Sequence, residues 1–249
     1  MAETAWSVGA GLEERVVVVT GAAGGIGAAT VAALVRTGAR VVALDVVAPA
    51  ASDANLALTA DLTDLPGHAA LLDAIEEIGP VYGLIHCAGV LRRRSQVTDI
   101  TEEDWDAQVD LNLKGTFFFI RDAAERMKKN GAGGRIVTFT SQGWWTGGFG
   151  GSVVYAATKG GIVSMSRGLA RTLGPHGITV NSIAPGQART RMLLDDLDEN
   201  VMNSMTEQTP LGRIAEPSEV AGVAVFLASR HASFITGATI NVSGGFLMY

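Results

Sequence analysis

Apolar and polar positions along this chain follow two alternating rhythms. Arg15-Val-Val-Val-Val-Thr20 and Arg40-Val-Val-Ala-Leu-Asp45 are short, unbroken, β-branched runs, the pattern of strands buried on both faces. Between them, residues 28–36 form an alanine-rich stretch with helical spacing. The same reading predicts strands near 55–60, 81–87, 134–140, 177–183 and 238–243, and helices near 67–78, 101–129, 153–173 and 217–229. Strand and helix in regular alternation imply a parallel sheet with helices on both faces. The expected fold class is therefore α/β, a doubly wound parallel sheet of about seven strands, forming one domain over residues 1–249 with a short N-terminal extension at 1–12.

The turn between the first strand and the first helix reads Gly21-Ala-Ala-Gly-Gly25-Ile-Gly27. Glycines there let backbone N–H groups approach a pyrophosphate, and the helix N-terminus favours its charge. The spacing is Gly-x3-Gly-x-Gly, which differs from the common G-x-G-x-x-G, but the order strand, glycine turn, helix is the one a Rossmann-type dinucleotide site requires. The second strand ends in Asp45, 18 residues after Gly27. A carboxylate there accepts both hydroxyls of an adenosine ribose and repels a 2′-phosphate. Gly24 and Val46, which flank that position, offer no base to hold a phosphate. The expected cofactor is NAD.

Tyr155-Ala-Ala-Thr-Lys159 places a phenol and an ammonium four residues apart, on one face of a helix. Tyrosine is a poor acid–base group at neutral pH, with a reference pKa of ~10. A neighbouring ammonium is expected to lower it. Fourteen residues earlier stands Ser141, a hydroxyl able to hold a carbonyl or alcohol oxygen. Tyr-x-x-x-Lys alone is a common helix turn and gains meaning from the dinucleotide motif that precedes it.

Together these residues resemble the short-chain dehydrogenase/reductase family in its compact form, over essentially the whole chain from about Glu14 onward. Thr20 to Gly27 is similar to the family's cofactor motif, with Gly21, Gly25, Ile26 and Gly27 as contacts. Asp61-Leu62 resembles its adenine-contacting pair. His86-Cys87-Ala88-Gly89 stands where the family has Asn-Asn-Ala-Gly, with Ala88 and Gly89 retained. Asn112, Ser141, Tyr155 and Lys159 match its catalytic tetrad. Pro185-Gly186-Gln187-Ala188-Arg189-Thr190 matches the element after strand six that holds the carboxamide. Pro210-Leu-Gly-Arg213, Ile235-Thr-Gly237 and Gly244-Gly245 match C-terminal signatures. The departures are Cys87, which puts that side chain's polar links to the sheet in doubt, Ser243 in place of an aspartate, and Gln187-Ala188.

The resemblance implies hydride transfer between NAD and a secondary alcohol or ketone. Tyr155 would exchange the substrate proton, and Lys159 would hold the nicotinamide ribose. Ser141 would hold the substrate oxygen, and Asn112 would position a water leading from Lys159 to solvent. It also implies that the helices around 112–129 and 153–173 pair between subunits, giving a homotetramer or homodimer. The positive mean hydropathy fits an oligomer.

Composition narrows the partners. A net charge of −6 argues against a nucleic-acid surface. The single cysteine excludes an intrachain disulfide and suits a reducing, cytoplasmic compartment. Residues 1–11 contain Glu3 and no apolar core, so no secretory signal is expected, and the apolar run 223–228 is too short to span a bilayer. The four histidines are scattered without metal-ligand spacing, and no catalytic metal is expected.

The substrate is the least determined part. Gln142, Trp144, Trp145 and Phe149 follow Ser141 in a glycine-rich loop, and Gln187 and Met192 stand near a stretch, about 190–210, that the resemblance makes a flap over the substrate. The two tryptophans can form an apolar pocket wall, fill an interface or cover the core. The acidic run 195–199 reads as a solvated helix face. Arg92-Arg93-Arg94 reads either as a solvated basic turn or as a contact for a substrate carboxylate or carrier phosphate. A cyclic or extended apolar alcohol or ketone is the favoured substrate. A 3-oxoacyl thioester, a dihydrodiol and a sugar remain as alternatives, with a non-catalytic dinucleotide sensor as the alternative of another class. The missing NADP-selecting base counts against a biosynthetic acyl reductase.

Overall fold

A computed structural model describes residues 7–49, 53–194 and 199–249. Six residues of the expected N-terminal extension, and all of the acidic run except Glu199, lie outside the described residues.

Seven parallel strands form one sheet: β1 (Val16–Thr20), β2 (Arg40–Asp45), β3 (Leu56–Thr59), β4 (Val81–His86), β5 (Gly134–Phe139), β6 (Ile178–Pro185) and β7 (Thr239–Val242). Their order is β3-β2-β1-β4-β5-β6-β7. The direction of winding reverses between β1 and β4, and ligands of open α/β sheets bind outside the carboxyl ends at that point.

The unbroken apolar runs have a direct explanation. Val17 and Val19 of β1 enter one core, while Val16 and Val18 enter the other. The first core is completed by α1 (Gly25–Val35), through Val31 and Leu34, and by the helix Pro217–Ala228, through Val220 and Ala224. The second is completed by α2 (His68–Glu76) and by Phe119, Ile120 and Met127 of a long helix crossing the opposite face. Each such side chain, when fully buried, contributes about 1.5–3 kcal/mol.

Two helix boundaries differ from expectation. Helix α1 begins at Gly25, so the last glycines of the turn are already its first turn. The stretch 101–129 is one rod in sequence pattern but three pieces in structure. These are α3 (Glu102–Val109), a π-helical turn (Asp110–Gly115) and α4 (Thr116–Asn130). Downstream come a short α5 (Gly143–Thr146), the long α6 (Val153–Leu173), α7 (Arg191–Leu194), α8 (Glu199–Glu207) and α9 (Pro217–Ala228). The pieces α5, α7 and α8 are absent from the sequence expectation; α5 and α7, at four residues each, are too short to show a periodic stripe, and α8 lies in the stretch expected to be a flap. None of the helices described is long and apolar enough to cross a membrane.

Close contact of backbone with backbone sets the glycine turn. A Cβ at Gly27 would lie 2.0 Å from the Gly21 carbonyl oxygen, whereas Gly168, on the exposed side of α6, has nothing within 4 Å. Gly27→Ala is therefore expected to lower stability by about 1–3 kcal/mol. Gly168→Ala is expected to raise it by up to about 1 kcal/mol through helix propensity. Chemical denaturation midpoints read both, and a neutral Gly27→Ala would contradict the tight packing.

Candidate active site

The crevice above β1 and β4 is built from glycines that let loops touch. A Cβ on Gly21, whose φ is +65°, would meet the Ala88 nitrogen at 2.7 Å, and one on Gly25 would meet Thr190 Cγ2 at 2.9 Å. The turn after β1, the loop after β4 and the start of the flap therefore converge at Gly21, Ala88, Gly25 and Thr190. Thr20 Oγ1 accepts from the Ala88 N–H at 3.2 Å and fixes the first two together.

Asp45 ends β2 with its carboxylate turned back to the glycine turn. One oxygen accepts from the Ala23 N–H at 2.9 Å and the other from the Val47 N–H at 3.3 Å. Each oxygen keeps a lone pair for a further donor. Asp61 lies two residues past β3 and caps its own turn through Thr63, at 2.9 and 2.8 Å. Leu62 is buried, and its carbonyl takes the His68 ring N–H at 3.0 Å. On the far side, Pro185 closes β6, the Gly186 N–H donates to Val242 at 2.9 Å, and Ala188 bridges to Ala215. The donor set, the glycine cradle and the helix N-terminus fit a dinucleotide.

The four tetrad candidates gather at the carboxyl ends of β4 and β5. Asn112, buried in the π-helical turn, accepts from the Val90 N–H at 2.8 Å and donates to the Val90 carbonyl at 2.9 Å and to Thr158 Oγ1 at 3.2 Å. Lys159, 4% exposed on α6, donates from Nζ to the Phe139 carbonyl at 2.8 Å and stands 5.4 Å from the Tyr155 ring centroid. Asn112 Oδ1 and Lys159 Nζ close on Gly89, where a Cβ would lie 3.2 and 3.4 Å from them. The Ser141 hydroxyl accepts from the Gly143 N–H at 3.2 Å and hydrogen-bonds the Tyr155 side chain.

Electrostatics at this cluster correct one expectation. Burial pushes the Tyr155 phenol up to about 12, opposed by the Arg93 charge and the Ser141 hydrogen bond. Burial outweighs the lowering effects on the phenol, and the Lys159 ammonium, 5.4 Å from the ring centroid, donates to the Phe139 carbonyl. Burial also brings Lys159 itself down to about 8. His86 is a structural link, bonded to Thr20 at 3.1 Å and Thr116 at 2.9 Å, and burial holds it neutral with a pKa of about 3. Burial raises the Cys87 thiol to about 12, against a lowering effect of Thr30 on α1.

Past Ser141 the predicted pocket residues separate. Gln142 is buried, donates to Asn241 Oδ1 at 3.4 Å and leaves its own Oε1 unpartnered. Gln187 Oε1 is likewise buried and unpartnered. Trp144 and Trp145 pack on Tyr249, at 5.2 and 5.5 Å between ring centroids, and the Trp144 indole N–H donates to the Tyr249 hydroxyl at 3.3 Å. Phe149 meets Phe246 at 6.1 Å. Met192 is exposed on α7. Sequence reasoning missed Phe246, Tyr249 and Asn241. No local spacing pairs the chain's last residues with a loop about a hundred positions earlier. Among the described residues no group of three or more His, Cys, Asp or Glu side chains is arranged to hold a metal ion.

Comparison with known proteins agrees with this geometry. A family described as enoyl-(acyl carrier protein) reductase matches residues 21–247. The chain is 34% identical to the (3R)-3-hydroxyacyl-CoA dehydrogenase of Rattus norvegicus, over 95% of this chain and 98% of that protein. It is also 34% identical to the 2-dehydro-3-deoxy-D-gluconate 5-dehydrogenase of Dickeya dadantii, over 95% and 96%. A structure from Sinorhizobium meliloti 1021, assigned as a short-chain alcohol dehydrogenase, superposes with a TM-score of 0.88 at 34% identity, covering 94% of this chain and 97% of that one. With a match spanning nearly the whole chain and a seven-stranded parallel sheet in common, this protein belongs to the short-chain dehydrogenase/reductase family of oxidoreductases.

Proposed function

We propose that this chain is an NAD-preferring dehydrogenase or ketone reductase of a secondary alcohol, with Tyr155 as the group that exchanges the substrate proton. The observation that carries the reading is the cluster of Ser141, Tyr155 and Lys159 at the carboxyl end of β5, facing the glycine-lined crevice. The glycine turn, Asp45, Asp61-Leu62, Ala88-Gly89 and the Pro185 to Thr190 segment would hold NAD, which when bound would supply the hydride acceptor.

In reduction the Tyr155 phenol, held protonated by burial, gives its proton to the substrate oxygen; in alcohol oxidation the phenolate, formed by loss of that proton to solvent, takes the hydroxyl proton. Ser141 holds the substrate oxygen and stabilises the charge that develops there. Lys159, still protonated at neutral pH with a pKa of about 8, offers a positive charge beside the reacting groups. Asn112 fixes α6 against the loop after β4, which keeps Lys159 and Tyr155 aimed at the crevice. A dinucleotide sensor needs no such proton-exchanging set. The apolar side chains of the loop after Ser141, Trp144 and Trp145 packed on Tyr249 and Phe149 on Phe246, favour a cyclic or extended alcohol or ketone. The exposed Trp105 and Phe117, on and beside the helices expected to pair between subunits, support a homotetramer or homodimer, and the lone Cys87 supports a cytoplasmic setting.

Tyr155→Phe is expected to abolish turnover of any accepted alcohol while NAD affinity, read by fluorescence titration, stays within about threefold, a change under 1 kcal/mol. Turnover at the wild-type rate would overturn the assignment of Tyr155.

For the cofactor, the Asp45 carboxylate should favour NAD(H) over NADP(H) by at least about tenfold, or 1.4 kcal/mol, through repulsion of the 2′-phosphate. Asp45→Ala combined with Gly24→Arg should shift kcat/KM toward NADP. Equal wild-type kcat/KM for both cofactors would contradict the role of Asp45.

A further inference from the structure

Three side chains spaced four residues apart on α3 and the π-helical turn bond to alternate residues of the loop after β4. Asn112 takes both backbone groups of Val90. Gln108, 1% exposed, accepts from the Arg92 N–H at 3.1 Å through Oε1, and its own N–H donates to the Asp104 carbonyl at 2.9 Å. Asp104, 4% exposed, receives the Arg94 guanidinium in two charge-assisted bonds, both at 2.7 Å, and the Thr101 N–H at 3.2 Å. The rungs thus pair 112, 108 and 104 with 90, 92 and 94. Four residues of α-helix advance about 6 Å, and two residues of extended chain about 6.6 Å. The two runs, passing in opposite directions, therefore stay in step over all three rungs.

The last rung reaches the segment that carries the catalytic tyrosine. The Arg94 N–H donates to the Gly151 carbonyl at 3.2 Å, and a Cβ on Gly151 would lie 1.8 Å from the Arg94 oxygen. Gly151 ends the loop 147–151, which joins α5, beside Ser141, to α6, and it precedes Tyr155 by four residues. Four of the five loop residues are glycines with φ between +58° and +90°. Such a segment has little stiffness of its own, so its position is set by what holds it. Phe149 leans on Phe246 in the middle of the loop, and Arg94 holds the end that leads into α6.

We propose that Asp104 and Arg94 are positioning residues for Tyr155, the far end of a ladder that begins at Asn112 and sets where the first turn of α6 stands relative to Ser141. The proposal deepens the dehydrogenase reading and rests on it for the role of Tyr155. Neither Asp104 nor Arg94 touches substrate or cofactor in this account; both act through Gly151. The fork counts as well as the charge, because two parallel guanidinium–carboxylate bonds fix an angle that a single ammonium contact does not.

Two measurements test the proposal. Hydrogen exchange read by mass spectrometry needs no substrate. Arg94→Gln should raise exchange of amides 156–159, in the first turns of α6, at least about tenfold, and leave β1 and α9 as in the wild type. Arg126→Gln breaks a comparable contact, with Asp73 and Glu76 on the side of α4 away from the crevice, and should leave amides 156–159 unchanged. Turnover is read separately, with NAD⁺ and a panel of secondary alcohols that includes cyclohexanol and 3-hydroxybutyrate. Arg94→Gln and Asp104→Asn should each lower kcat at least about tenfold, with KM and NAD affinity within about threefold of wild type. The double variant should be no worse than the worse single one, since the pair acts as a unit. Arg94→Lys should recover part of kcat. The Arg94 side chain is 43% exposed, so Arg94→Gln carries the test even where Asp104→Asn does not fold. The proposal is overturned if Arg94→Gln leaves exchange at 156–159 as in the wild type, or if it keeps kcat within about twofold of wild type. A wild type that turns over no alcohol, with the exchange effect present, would sink the dehydrogenase reading and leave the ladder standing. Wild-type turnover with unchanged exchange in Arg94→Gln would do the reverse.

Discussion

One carboxamide ties together three elements that otherwise meet only by packing. Asn112 exchanges hydrogen bonds with both the N–H and the carbonyl of Val90, and its remaining N–H reaches Thr158. The loop after β4, the π-helical turn and α6 are thereby fixed relative to one another at the carboxyl edge of the sheet. A regular α-helix through 110–115 would rotate Asn112 by the angle of one residue. The widened turn is thus the local distortion that lets the side chain face Val90, and π-turns often mark functional positions. Buried amides with a full set of partners cost little, and removing one partner is expensive, so this junction is stiff.

The same junction sets the shape of the crevice. Gly89 has no Cβ, and Asn112 Oδ1 and Lys159 Nζ occupy the space beside it. Lys159 is buried with one carbonyl partner, an arrangement that costs stability and depresses its pKa. Tyr155 is disfavoured as phenolate for the same reason. Burial thus keeps Tyr155 a neutral phenol and leaves Lys159 a cation that releases its proton more readily than a free lysine. Perturbed titratable groups in a cleft are a mark of functional sites. Gly21 and Gly27 do for the dinucleotide side what Gly89 does here, by letting backbone approach where a methyl group would collide.

How much of this was legible in the sequence depended on the range of each interaction. Strands β1, β2, β4, β5 and β6 were readable because they are largely buried on both faces, which leaves unbroken apolar runs, while the edge strands β3 and β7 are only partly buried. The glycine turn, Asp45 and the Tyr155–Lys159 pair were readable because their chemistry is local in sequence. The π-helical break was not, since the apolar pattern of α3 and α4 continues through it and only the backbone hydrogen bonds differ. The packing of Tyr249 on Trp144 and Trp145 was invisible for another reason: it depends on β7 delivering the chain end to the loop after Ser141. The direction of the Tyr155 shift was misread because sequence gives the identity of Lys159 but not the depth at which Tyr155 is held. Burial, which dominates, is a property of the assembled site. For the arginine triplet the sequence favoured a solvated basic turn, and the contacts of Arg94 with Asp104 and Gly151, long-range in sequence, were not legible in it.

The most direct measurement is isotopic. The chain is incubated with NAD⁺ and secondary alcohols deuterated at the carbinol carbon, and the cofactor is recovered and weighed by mass spectrometry. Direct hydride transfer at the Ser141–Tyr155–Lys159 cluster predicts NADH carrying one deuterium, formed more slowly than its protium counterpart whenever that transfer limits the rate. Deuterium lost to solvent, or no reduced cofactor with any alcohol across neutral, carboxylate-bearing and phosphate-bearing substrates, would contradict it.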